Sequence, residues 1–598
     1  MTLSTYVINE LASIKQSPKY KRYDAVHKLK AAAESAPCKQ DSYSLNILSG
    51  VLSMCYNTKE HQFSPMMVLY IEKKRSFALE DISQDDVELL EAAANSTDNI
   101  YLRTRFFHVA WVLSNNFQYG QEAVKGYLEI FEDSFNPTEW VECNDAIQSA
   151  FHIATILGKK SDSLKRVRTA INNKLKEMNG HDPLFLSIAL LELVIKSASE
   201  TDLESYLGFA ENLSKKNLTI DNLNTNLADE TFVIQEQILK RLKKDDEIRI
   251  ATEVYADYYE SLAEKSTQEG ENLRAVIMLK KACHLYSKVN RDKLLESRNK
   301  LEELQKLALK EMHHFKYEID AEPIYKTIEK LFNGLSLPES IIQLGRLATI
   351  HNVEELKKDV MEKQSKSFFT SMFSSSMLNE KGQTVQELAP LGATIESTDP
   401  EVLHKHMVKH ASEHRNLSNP IVLNYAFSFF KESGEFSKDS LNFLVDDNAI
   451  IPDNRSDIIK DGLYLGLSGN LYAAMHILLP QVENIFRNLV KNCGDTITFL
   501  KEDGTETYKP LSALLKSEKL RECYDENIIF TFQSIMDDPI GENLRNLNAH
   551  GVLEPEKGNG SSALYFLCLV IRLLSMYSPN AFSIVKYLAE KDSCTETE

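Results

Sequence analysis

"GNLYAAMHILLPQVENIFRNLVKNCG", Gly469 to Gly494, decides the fold of the second half of this chain. Leu471, Ala474, Met475, Leu478, Leu479, Val482, Ile485, Phe486, Leu489 and Val490 recur at three- and four-residue steps. On a helix that spacing makes one continuous apolar stripe, which has to be buried. Asn470 is placed to accept the first free backbone N–H groups, and Gly494 to stop the helix. Pro480 removes a backbone donor in the middle, so a kink is expected there. Helical periods return at about 526–536, 542–549, 562–576 and 581–590, which predicts a helical bundle over 457–598. Between them, "TITFLKEDGTETYKPLSALL" predicts a small hairpin insert turning at Asp503-Gly504.

Working outward, the 598 residues are too many for one core, and roughly one domain per 150 residues suggests three to four units. Gly (21) and Pro (16) are scarce, so tight turns are few and long helices are favoured. The fold class expected is all-α. Residues 1 to about 335 read as helix after helix, as in "DDVELLEAAANSTDNIYLRTRFFHVAWVLS" and "GQEAVKGYLEIFEDSF". "ATEVYADYYESLAEKSTQEGENLRAVIMLKKACHLYSKV" reads as an antiparallel helix pair, loosely like a tetratricopeptide unit but without a strict repeat. The expected layout is an irregular, solenoid-like array made of a helical domain over 1–190 and a helical-hairpin domain over 191–362. A Ser/Thr-rich linker or loop over 363–400 and connecting helices over 401–456 then lead into the bundle. In that linker Phe368, Phe369, Met372 and Phe373 either dock on a neighbouring domain or belong to a mobile segment.

The net charge of −19 opposes indiscriminate binding to nucleic acid or anionic lipid. The bundle shares that sign, with 12 Lys/Arg against 19 Asp/Glu from Asp461 onward. The eight cysteines include no C-x-x-C pair and read as reduced thiols of a cytoplasmic protein. The start lacks a basic segment followed by an apolar one, so no secretory signal is expected. The longest apolar run, Ala563 to Ile571, stops at Arg572, well short of the ~20 residues a spanning helix needs. No membrane partner is expected. "HKHMVKHASEH" sets His406, His410 and His414 at i, i+4 steps, which can bind zinc. Met407, however, stands where a metalloprotease needs Glu, and the stretch is read as a solvated polar face without metal. Phosphate-loop, dinucleotide and hydrolase-elbow motifs are absent from the sequence.

"ENLRNLNAHGVL", Glu542 to Leu553, carries the candidate chemistry. An Arg five residues before a His is not specific, because Arg22/His27, Arg103/His108 and Arg346/His351 share it. Those three read as parts of ordinary amphipathic helices. Arg545/His550 differs because Asn546 follows the Arg, Gly551 follows the His and lets the helix end there, and the pair belongs to the bundle. Five residues on an ideal helix turn about 500°, leaving the two side chains some 140° apart. Either the helix ends between them, or each reaches a shared cleft from a different edge. Symmetric dimerisation would line one groove with two copies of the pair.

The stretch from Gly462 to Val490, with its Pro480, Gln481, Glu483 and Arg487, followed by Arg545, Asn546, His550 and Gly551, resembles a domain-of-unknown-function family of the HEPN (higher eukaryotes and prokaryotes nucleotide-binding) superfamily. That family's pattern is Pro-Gln-x-Glu-x-x-x-Arg and a later Arg-Asn-x-x-x-His-Gly, and it includes a eukaryotic endoplasmic reticulum membrane protein linked to RNA degradation. The resemblance covers roughly 457–578. It implies a HEPN-like bundle and a metal-independent endoribonuclease without cofactor, in which the RNA 2′-OH attacks its own 3′-phosphate. His550 would be the acid/base, Arg545 the phosphate clamp, and Asn546 would orient phosphate or ribose. Glu483 and Arg487 either orient the site or form a simple helix salt bridge. Bacterial members of the superfamily are often anti-phage, abortive-infection or toxin effectors. That implies an RNA substrate such as tRNA, a homodimer through the bundle, and a regulatory or trigger partner on the N-terminal array. Two alternatives remain: a non-enzymatic helical adaptor that keeps the bundle for dimerisation, and a nucleotide-sensing module using the same cleft.

Overall fold

A computed structural model describes residues 3–15, 22–69, 74–158, 161–221, 224–312, 318–366, 373–392, 394–432 and 435–595. The chain is all-α: helices carry it, and the strands form short two-stranded hairpins. It divides into two compact units, Met1–Glu311 and Met312–Glu598.

In the first unit successive helices pack side by side around a core that includes Leu45, Leu102, Phe106, Phe131, Ile147 and Leu190. The tetratricopeptide-like stretch forms two antiparallel helices, Asp245–Gln268 and Asn272–Val289. Polar side chains join them where their apolar faces meet. Tyr286 donates to Asp257 at 2.6 Å and to Glu260 at 2.8 Å, and Asn290 donates to Glu253 at 2.9 Å.

The second unit is built on the Ser561–Tyr577 helix, whose residues Ala563 to Ile571 are all buried. A helix that is apolar all round belongs at the centre of a core. By length and composition Pro555–Tyr577 could cross a membrane, but most of it is buried inside this unit. Arg572 does not break the helix. It donates to the carbonyls of Ala348 (2.5 Å) and Arg346 (3.3 Å), at the C-terminal end of the Leu337–Arg346 helix, where a cation is favoured.

The Leu471–Asn492 helix packs on this centre. Every residue of its apolar stripe is buried. Asn470 caps it by accepting from the Ala473 N–H at 3.2 Å, and Gly494 follows it with φ +77°. The helix runs unbroken through Pro480. The hairpin insert pairs Thr498–Leu500 with Glu506–Tyr508.

The layout departs from expectation in three places. The helices Glu322–Phe332 and Leu337–Arg346 contribute Ile328, Phe332, Ile341 and Leu344 to the second core, so the boundary falls at 311/312 and not at 190/191 or in 363–400. Helical periodicity runs straight across that boundary, so periodicity cannot mark it. The 363–400 stretch holds a hairpin, Ser375–Leu378 against Thr384–Leu388, which turns through Gly382 at φ +75° and buries Leu388. Phe373 is exposed, while Phe368, Phe369 and Met372 lie outside the described residues. Most of 401–456 is one helix, Pro400–Glu432, which accommodates Pro420.

His351 follows the Leu337–Arg346 helix instead of lying within it, and it is buried. Burial, with the Arg415 charge nearby, pushes its imidazole from 6.5 down to about 3. A folded His that stays neutral contributes stability above its unfolded pKa, and that stability is lost as pH falls toward the folded value. Unfolding stability should therefore fall between pH 6.5 and about 3 at up to about 1.4 kcal/mol per pH unit from this residue. Guanidinium titrations of the full chain at stepped pH should show a shallower slope for His351→Asn. An unchanged slope would remove this residue as a source of the acid sensitivity.

Candidate functional site

A buried charge organises the site. Glu483 lies on the packed face of the Leu471–Asn492 helix, 9% exposed, among apolar neighbours. A carboxylate there has to be paired. Arg487, one turn on, donates from Nη2 to Oε1 at 2.9 Å. Arg545 arrives from far along the chain, with Nε on Oε2 at 2.6 Å and Nη2 on Oε1 at 3.3 Å. Glu483 and Arg487 thus form a helix ion pair that also holds Arg545.

Arg545 stands on a six-residue helix, Leu544–Ala549. The helix begins later than the expected 542, because Asn543 takes the left-handed conformation at φ 53°. Its C-terminus is a two-bond glycine cap. The Gly551 N–H reaches the Asn548 carbonyl at 3.0 Å and the Val552 N–H reaches the Leu547 carbonyl at 2.9 Å, with Gly551 at φ +68°. His550 sits at the last turn and is exposed. Among the described residues, its side chain makes no hydrogen bond. The helix therefore ends at the His, and on ideal helix geometry the two side chains of the pair leave it some 140° apart.

Asn546 accepts from Arg545 Nη1 at 2.9 Å and donates to the Asp537 carbonyl at 3.1 Å and to Asn543 Oδ1 at 2.7 Å. Its amide is spent inside the protein, so it sits where it positions Arg545 instead of meeting phosphate or ribose. Three of the five Arg545 N–H groups are engaged by Glu483 and Asn546, which leaves two for a ligand.

Beside Arg487 opens a cleft of about 430 Å3 lined by Arg455, Gln481, Asn484, Arg487, Lys491 and Tyr508, among others. Three cations and three carboxamides line it, and among the described residues no carboxylate does. It is a cation-lined pocket in an acidic protein. Arg487 lies over the Tyr508 ring at 5.3 Å, which ties the hairpin insert to the cleft.

Sequence reading missed two features. Asp537 neighbours Arg545, and burial raises its carboxyl above the ordinary value while Arg545 pulls it down. The Asp537-Asp538 pair at the end of the Glu526–Met536 helix was its only sequence signal. The second feature is Arg415. It is 1% exposed and grips Glu542 with Nε on Oε1 at 2.9 Å and Nη2 on Oε2 at 2.6 Å, while Nη1 reaches Ser534 Oγ at 3.1 Å. Glu542 stands two residues before the motif helix, next to its capping Asn543. Next to it, a Cβ on Gly541 would lie 1.7 Å from the Ser534 carbonyl oxygen, so only glycine fits there.

Of the histidines of the Pro400–Glu432 helix, His414 is exposed, but His404, His406 and His410 are half-buried, contrary to the expectation of a solvated face. His404 pairs with Asp538 at 3.2 Å, His406 with the Ala389 carbonyl at 2.9 Å, and His414 meets the His351 ring edge-on. The ring nitrogens of His410 are buried, and burial lowers its pKa. The helix packs on its neighbours through this face, which a polar composition hides. Among the described residues no group of three or more His, Cys, Asp or Glu gathers as a metal-binding set.

Removing one partner of a buried pair leaves the other charge stranded. Arg415→Ala should therefore cost about 3–5 kcal/mol in guanidinium unfolding of the full chain. The double change Arg415→Met, Glu542→Leu should recover much of that loss. A double variant as unstable as the single one would refute this account.

The family model of a domain of unknown function (DUF7380) matches residues 2–166. That match lies wholly in the first unit and contains none of the motif residues. Among curated proteins none matches the chain significantly.

Proposed function

We propose that the protein is a metal-independent endoribonuclease of HEPN type, acting in the cytoplasm as a bacterial anti-phage or toxin effector. The observation that carries this reading is the Glu483-held Arg545, one short helix away from an exposed His550 and joined through Arg487 to a cation-lined cleft. The chemistry suits RNA. The substrate brings its own nucleophile, the 2′-OH. A cation stabilises the charge that builds on the phosphorane, and the two open N–H groups of Arg545 can supply it. His550, exposed at the helix end, takes the 2′-OH proton or returns one to the leaving 5′-oxygen. The products would carry 2′,3′-cyclic phosphate and 5′-OH ends.

Five residues of helix set His550 and Arg545 some 140° apart, so a working site would take His550 and Arg545 from two copies around one groove. That is the basis for a homodimer through the bundle. The acidic body makes loose RNA binding weak. A shaped substrate such as a tRNA loop fits the small cleft better than unstructured RNA. The first unit would be the place for a regulatory partner.

A second reading is a non-enzymatic adaptor or nucleotide-sensing module. The specific observation in its favour is that Glu483 and Asn546 already occupy most of Arg545, as in a bundle kept for its fold.

Purified protein incubated with total RNA in excess EDTA should cleave it. His550→Ala and Arg545→Ala should each slow cleavage by roughly 10²–10⁴-fold while leaving the thermal transition near wild type for His550→Ala. Cleavage that both variants retain would sink the assignment. If no RNA is cut and ATP or another nucleotide raises the melting temperature, the sensing module is favoured instead.

A further inference from the structure

Two thiols meet at the far end of the helix that carries Glu483 and Arg487. Cys493 closes that helix, with its N–H on the Leu489 carbonyl at 3.0 Å. Gly494 and Asp495 follow, and both are gripped by the short Glu518–Cys523 helix. Its capping Ser517 hydroxyl donates to Asp495 Oδ2, and its Lys519 Nζ donates to the Gly494 carbonyl at 2.6 Å. Cys523 lies four residues after Lys519, hence one turn on along the same face. That places Cys523 beside Cys493 where the two helices pack, near enough for the two thiols to influence each other. Cys523 is exposed and Cys493 half-buried.

We propose that Cys493 and Cys523 are a modification site that closes into a reversible disulfide when a peroxide-class oxidant reaches the exposed sulfur. The Cys523 thiolate attacks one peroxide oxygen and the O–O bond breaks, giving a sulfenic acid and releasing water once the leaving oxygen is protonated. The Cys493 sulfur then attacks the Cys523 sulfur and displaces its oxygen as a second water. Two thiols lose two electrons and two protons, and the peroxide takes up both. A dithiol reductant reverses the step by exchange.

The setting determines the rate. Burial and the neighbouring Cys523 push the Cys493 thiol up to about 11. Cys493 also sits at the C-terminus of the Leu471–Asn492 helix, where carbonyl dipoles disfavour a thiolate. The pair should therefore oxidise slowly at neutral pH and faster as pH rises, unlike a low-pKa sensor thiol.

The closed loop contains the hairpin insert. That hairpin supplies Tyr508, which lies under Arg487, and precedes the Lys509 carbonyl, which accepts from Arg487 Nη2 at 3.3 Å. Oxidation would tether this segment to the helix at both ends, and so would stiffen one wall of the cleft beside Arg487. The disulfide itself does not depend on the ribonuclease reading.

The test treats the full chain with hydrogen peroxide, blocks remaining thiols with iodoacetamide, and maps peptides without reduction. The expected result is a Cys493–Cys523 linked peptide, lighter than the two free peptides by two hydrogens and split by dithiothreitol. It should form faster at pH 9 than at pH 7. The oxidised protein should melt several degrees higher than the reduced one. Cys523→Ser, an exposed change that should leave the reduced melting temperature unchanged, should abolish both the peptide and the shift. Equal alkylation of the two thiols before and after peroxide would overturn the proposal. So would Cys523 oxidising to sulfinic acid, or pairing with exposed Cys38, in place of Cys493.

Discussion

The position of the candidate site rests on the buried Arg415–Glu542 pair. A six-residue helix has little stability of its own, because nucleation costs more than one turn of hydrogen bonds returns. The Leu544–Ala549 helix is therefore held from outside at three points. Arg415 fixes the residue before its first turn and, through Ser534, binds it to the Glu526–Met536 helix. Glu483 fixes its flank through Arg545. The left-handed Gly551 fixes its end. Each device stands next to a motif residue, so loosening any one moves His550 or Arg545 relative to the Leu471–Asn492 helix.

The two buried carboxylates act in parallel. Glu542 takes one guanidinium in a two-bond fork, and Glu483 takes two guanidinium groups on its two oxygens. Arginine suits both places, because its planar fork satisfies both oxygens of a carboxylate while lysine offers a single point charge. Desolvating so many charges costs more than apolar packing would. What the arrangement provides is geometric: two distant segments meet in one register, and two N–H groups of Arg545 are left without a protein partner among the described residues.

The parts of this arrangement visible in the sequence were those with a local signature. The ten-residue stripe, the Asn470 cap, the hairpin at Asp503-Gly504 and the helix stop at Gly551 are all short-range patterns, and the structure has each of them. Arg415 was invisible because its partner lies 127 residues away and its neighbours, Glu413 and His414, look like surface. The same polar composition hid the packing of His404, His406 and His410. The hairpin over 375–388 was masked by serine and threonine, whose strand preference depends on what they pack against. The boundary at 311/312 was illegible because helices on either side share one period. The Arg545–Glu483 bond was hidden for a further reason: Glu483 and Arg487 already made a complete i, i+4 pair, so nothing in the sequence called for a third member.

That third member sets the electrostatics of the cluster. Two guanidinium groups against one carboxylate leave a net charge of one positive in the cluster. Asp537 stands beside them, and its ionisation would reduce the net to zero. Burial raises its carboxyl toward the neutral form, while Arg545 opposes that. The balance between desolvation and the Arg545 charge at this one residue thus decides whether the cluster attracts an anion, and the Asn546 amide, which bonds to both Arg545 and the Asp537 carbonyl, keeps the two groups at a fixed separation. An acidic chain can gather cations in one place only where its carboxylates are paired, and the Arg415–Glu542 and Arg545–Glu483 pairs do this on either side of the start of the Arg545 helix.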